Sequence, residues 1–218
     1  MQPISREELC SPDSVRALRW MSFGSLVAAL AVIPPLLHWP VDIVASIVLF
    51  LSVRRLRPLG RPARDSTMLA AALAILATLR AASLLACSSP VSSDSATVFG
   101  VWIMATAAEA ALLPIFAHRA CDLVDRIAKQ GEAHVIRDQA SWQKAAVPLS
   151  YVVLGSELLT MGSGPIVHVG LGMLAVSLGM LAGLLVAAAQ ICATLRAAPA
   201  GARPQDGQPT AGETRARD

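Results

Sequence analysis

Hydrophobic positions along this chain fall in long blocks, with no alternation of apolar and polar residues inside them. Six blocks stand out, at residues 18–34, 40–56, 67–87, 97–117, 145–161 and 165–195. A helix needs about 20 apolar residues, with a range of roughly 17–25, to cross the hydrocarbon of a bilayer. Every block reaches that range. Lipid offers no partner to an open backbone N–H or C=O, so unalternating blocks of this kind predict helices that satisfy their own backbone. The expected fold class is all-α: a polytopic helical membrane protein with six transmembrane helices bundled over residues 18–196.

The polar stretches between the blocks carry the rest of the layout. "IPPLLHWP" supplies a turn between the first two blocks, because Pro34, Pro35 and Pro40 each remove a backbone donor. Trp39 suits a membrane interface there. These two blocks lie close together, so one span plus a re-entrant piece is the other reading. "SSPVSSDSA" is a polar loop. Residues 118–144 form the largest polar insert. Leu123, Val124 and Ile127 give it a short apolar face, Gly131 interrupts, and Val135, Ile136 and Trp142 follow. Two short amphipathic helices are expected, lying on the membrane or capping the bundle. Residues 1–17 form an amino-terminal tail. Residues 197–218, rich in Ala, Pro, Gly and Arg, are expected to be disordered.

Charge orients this threading. Of the 18 Lys and Arg residues, all but Arg80 fall in the amino-terminal tail, the second connection, the fourth connection or the tail after the last block. The other three connections hold none. Excess Lys and Arg collect on the cytoplasmic side of a membrane. Six crossings with both termini cytoplasmic put every one of those residues on that side, whereas five crossings mis-sort them. The first nineteen residues mix acids with arginines, too long and too acidic for a cleavable leader, so the first block is expected to stay as an anchor.

Composition agrees. The chain is 55% hydrophobic and 15% charged, against about 25% charged in soluble domains. Its mean hydropathy is +0.57. Too little polar surface remains to wrap six buried helices in water. Arginine dominates lysine, and with abundant Ala, Gly and Pro this points to GC-rich coding and a bacterial cytoplasmic membrane. No basic stripe is interleaved with aromatics, so no nucleic-acid partner is expected.

Arg80 is the exception, inside the third block. A charge at the bilayer centre costs about 2.5–3.5 kcal/mol on insertion scales, so it should face the bundle and find a partner. At 1.5 Å per residue from the cytoplasmic ends of the blocks, Arg80 lies at roughly 20 Å depth, Glu109 at roughly 13 Å and Glu157 at roughly 18 Å. Depth favours Glu157, while connectivity favours Glu109 on the adjacent helix. A shared Arg80–Glu109–Glu157 cluster is the expectation, with two acids for one base, so that one carboxyl holds a proton at neutral pH. Such a cluster either pins three spans together or forms a proton relay or polar substrate site.

In the last block, Ala175, Gly179, Gly183 and Ala187 recur every four residues, and "GMLAG" is a GxxxG. Small residues let helices approach closely in lipid. Contact with another span of the same chain is expected, with homo-oligomerisation as the other reading. Gly164 before Pro165 suits the start of this helix.

Catalytic and cofactor signatures are sparse. Cys10, Cys87, Cys121 and Cys192 lie far apart, with neither metal-ligand nor disulfide-framework spacing. "LLAC" at residues 84–87 sits too deep in the chain for a lipoprotein cleavage site. There is no HExxH, GxSxG, Walker loop or GxGxxG. Ser156 neighbours Glu157 but no histidine near in sequence. His38 and His168 fall at the same side of the threading, but His38 sits in a proline-rich turn that fits haem ligation poorly, so no metal and no cofactor is expected. "PPLLH" and "PIFAH" are too short a match to mark an inverted repeat. The expected function is non-enzymatic: a scaffold or regulatory subunit of a membrane complex, with a membrane-protein partner or a second copy of the chain. The alternative is a small proton-coupled secondary transporter using Arg80, Glu109 and Glu157.

Overall fold

A computed structural model describes residues 10–32, 38–56, 61–87, 95–159 and 167–197. They form six helices and, among the described residues, no strand: α1 Pro12–Val32, α2 His38–Arg55, α3 Arg61–Cys87, α4 Ser95–Gln130, α5 His134–Leu159 and α6 Val167–Ala197. The turn through Pro34 and Pro35, the polar loop "SSPVSSDSA" up to Asp94, and the tail from residue 198 lie outside the described residues. So do residues 1–9 of the amino-terminal tail.

Local chemistry sets the helix ends. Ser11 caps α1: its Oγ accepts from the backbone N–H of Ser14 at 3.2 Å, which occupies a donor the helix leaves open. Pro40 stands in the first turn of α2, where a missing N–H breaks no bond. The first two blocks thus become two separate helices. Pro114 and Pro148 lie inside α4 and α5 without ending them, as happens where neighbouring helices re-satisfy the freed carbonyl.

The 118–144 segment departs from expectation. It does not make two separate short helices. Its first part continues α4 to Gln130, and its second part opens α5 at His134. A helix ends at a breaker or a cap, and nothing between Ala117 and Gln130 supplies one. The break falls at Gly131–Ala133. There the Ala133 N–H donates to Ala128 O at 2.9 Å, and Glu132 adopts a φ of 54°. This is a Schellman end with glutamate in the left-handed position.

Each helix packs on the next, and α6 closes back on α1, with a further contact between α4 and α6. The neighbours run antiparallel. Gly24 of α1 lies against Val48 and Leu49 of α2, while Trp20 shares a cleft with Leu51 and Arg55. Ser22 Oγ of α1 donates to Ala182 O of α6 at 2.8 Å. Many of the described core residues gather at the end where α1, α3 and α5 begin and α2, α4 and α6 finish. Leu18, Met21, Val53, Leu56, Phe116, Val124, Ile127, Val147, Leu185 and Cys192 are all buried there. The same end carries Arg16, Arg19, Arg54, Arg55, Arg64, Arg126, Lys129, Arg137, Lys144 and Arg196, so we call it the basic end. Lys144 meets Asp122 at 2.7 Å and Arg137 meets Asp125 at 3.3 Å across the α4–α5 turn.

Three helices, α3, α4 and α6, are long and apolar enough to cross a membrane. The others fall short for visible reasons. The α2 helix has 18 residues with Asp42, Arg54 and Arg55 among them, a length of about 27 Å. The α5 helix spends its first turns on Arg137, Asp138 and Lys144. Large apolar side chains nonetheless face outward on every helix, among them Leu26, Ile47, Ile75, Met104, Val152 and Val176. A surface of that kind is rare on a protein surrounded by water.

Candidate functional site

Arg80 and Glu109 lie on the inward stripes of α3 and α4. Ala70, Leu73 and Ala77 are buried at spacings of three and four before Arg80, and Ala81 is buried after it. On α4 the buried Ala105 precedes Glu109 by four residues and the buried Phe116 follows by seven. Helical periodicity thus aims both charged groups into the bundle. Arg80 Nη1 stands 3.0 Å from Glu109 Oε2, with side-chain exposures of 9% and 17%. The pair is one cation and one anion, formally neutral, in surroundings that would penalise either alone.

Depth favoured Glu157 and connectivity Glu109 as partners in a shared cluster, and the guanidinium reaches the carboxylate of the adjacent helix. Its long, flexible stem spans the offset. Glu157 lies on α5 two residues before its end, and its side chain is outside the described residues. Among the described side chains of α5, Tyr151 approaches the pair. Tyr151, the chain's single tyrosine, is packed against the core and lies close enough to Glu109 and Arg80 to feel both charges. Arginine, carboxylate and phenol can together lock three helices, or hold and pass a proton.

The sequence reading did not name Tyr151, because one tyrosine in an apolar block has no periodic signal. It also missed a second polar contact, between α5 and α6. The Gln143 side-chain amide donates to Ser177 O, and Ser150 Oγ lies 3.2 Å from Ser177 Oγ. Gln143 and Ser150 are seven residues apart and so share a helix face, a signal the sequence did carry.

The two glycines of the small-residue stripe face open space. A Cβ placed at Gly179 or Gly183 would meet nothing within 4 Å, so among the described residues these glycines pack against no other helix of the chain. The α6 helix turns Leu174, Leu178, Leu181, Leu185 and Cys192 inward instead. Spacing by four defines a face but not its direction, and the larger side chains make more dispersion contacts with their neighbours.

Among the described residues no group of three or more His, Cys, Asp and Glu is placed to hold a metal. The side chains of His38 and His168 lie outside the described residues. Cys10, Cys121 and Cys192 are unbridged and buried. Compared with family models, curated proteins and solved structures, the chain matches none.

Proposed function

We propose that the chain is a multi-pass protein of a bacterial cytoplasmic membrane, crossing six times with its basic end in the cytoplasm, and that it serves as a non-enzymatic scaffold or regulatory subunit of a membrane complex. The sorting of Lys and Arg to one end of an antiparallel bundle supports the orientation. Cysteine placed at Asp94 in a Cys87→Ser background is the check. An impermeant thiol reagent applied from outside labels it, and cytosol-only labelling overturns the layout.

One observation carries the scaffold reading. On the first turns of α5, at the basic end, Val135 is 69% exposed and Trp142 80% exposed. They stand seven residues apart on one face, among charged neighbours. Apolar groups at that spacing suit a partner helix laid alongside. The test is purification in mild detergent with quantified stoichiometry. A subunit held at fixed ratio by the wild type and lost from Trp142→Ala supports the reading. A ratio unchanged by that substitution defeats it.

A second reading, a proton-coupled secondary transporter, is favoured by the Arg80–Glu109 pair with Tyr151 beside it, since buried ionisable groups mark ion pathways in membranes. Proteoliposomes carrying a pH gradient test it: flux present in the wild type and abolished by Glu109→Gln supports transport, and equal flux removes it.

A further inference from the structure

A cleft of about 280 Å³ opens at the basic end between the first turns of α1 and the last turns of α6, lined by Pro12, Val15, Arg16, Arg19, Ala193 and Arg196. Three arginines far apart in the sequence line it. Among the described residues no carboxylate forms an ion pair with any of them. Asp13 is exposed on the same turn of α1 but does not line the cleft. Arg196 gains from its place in the last turn of α6, where helix carbonyls favour a cation. Arg16 and Arg19 have no such reason. They stand in the second and third turns of α1, beyond the reach of the helix-end field. The bundle therefore holds three like charges around one cleft, with the seam beside them tied by Ser22 and Ala182.

We propose that this cleft binds a phosphate group. Arginine presents a planar fork that matches phosphate oxygens two at a time. The cleft is smaller than the roughly 300–1,000 Å³ of drug-sized ligand pockets, and it suits a phosphate-bearing headgroup. An anionic phospholipid and a free phosphate share this chemistry. The lipid source rests on the basic end facing the cytoplasmic leaflet, where basic pockets between helices take up anionic headgroups. The free-phosphate source does not rest on it.

Native mass spectrometry of the full chain in detergent tests the site, with phosphatidylglycerol, phosphatidylcholine and inorganic phosphate as separate probes. Retention of one phosphatidylglycerol, about tenfold tighter than phosphatidylcholine, is expected. Arg16→Gln/Arg196→Gln abolishes that preference, and Arg16→Lys/Arg196→Lys keeps part of it. Ala193→Leu fills the cleft without changing charge and abolishes it too, which separates a built site from general attraction to a basic surface. Binding of inorganic phosphate with the same dependence on arginine, and none of lipid, keeps the site and assigns it to a soluble ligand. Equal retention of both lipids together with no phosphate binding overturns the proposal, as does a preference that survives Arg16→Gln/Arg196→Gln or Ala193→Leu. Arg16 and Arg196 are exposed, so the Gln variants shift the unfolding transition little.

Discussion

Arg80 on α3 and Glu109 on α4 meet at 3.0 Å inside the bundle, each answering a charge that the interior would otherwise reject. The energetic weight of the pair lies in what happens when one member is lost. Glu109→Gln leaves the guanidinium buried without its counter-charge, a change that costs about 3–5 kcal/mol in buried pairs. The double replacement Arg80→Leu/Glu109→Leu costs much less, because polar contacts between helices in lipid contribute on average about 0.6 kcal/mol. Reversible unfolding in mixed micelles gives both values. A double variant as unstable as the single one would mean that the pair does more than neutralise itself.

Gly24 is the close approach between α1 and α2. A Cβ there would sit 3.0 Å from Leu49 Cγ and 3.2 Å from Val48 Cγ1. Gly24→Val pushes those side chains off their rotamers and destabilises by about 1–3 kcal/mol. The same unfolding measurement reads it, and an unchanged midpoint would show that the α1–α2 seam yields easily.

Gly183 is the contrasting case. Its Cβ direction is open, so Gly183→Leu changes the stability of the single chain by no more than about 0.5 kcal/mol, apart from a gain in helix propensity. Analytical ultracentrifugation in detergent then isolates any second role. Should the wild type dimerise through this stripe, Gly183→Leu yields monomer, and an unaltered mass excludes the stripe as the contact.

Glu132 holds a φ of 54° at the end of α4. A side chain in that region costs roughly 1–2 kcal/mol relative to a right-handed conformation. Glu132→Gly relieves the strain, and the chain gains about 1 kcal/mol after glycine's larger unfolded-state entropy is subtracted. A raised unfolding midpoint checks it, and a lowered one would mean that the carboxylate has a partner worth more than the strain.

The helices were legible because spanning blocks announce themselves by length and hydropathy, which need no tertiary information. Each of the six blocks lies largely within one helix, and the inward aim of Arg80 followed from the cost of a charge in lipid. Connectivity pointed Arg80 to Glu109 on the adjacent helix, and that contact is present. What failed to read depended on helix ends and on direction. Polarity changes at Ala117 and Ala145 suggested element boundaries, yet a helix answers to caps and breakers, so both helices ran on to the turn at Gly131. The spacing of Ala175, Gly179, Gly183 and Ala187 was visible, but which way it pointed was not. Tyr151 had no pattern to betray it.

The seam between α1 and α6 has a consequence for how the molecule is made. Four helices separate them in the chain, so every intervening helix is synthesised before they can touch. Until α6 leaves the ribosome, Ser22 has no Ala182 carbonyl to bond, and the flank of α1 that α6 will cover stays bare. The nascent chain must therefore carry an unfinished face while α2 to α5 are made. Truncation anywhere before α6 would leave that face permanently open, and so a ready target for proteolytic quality control.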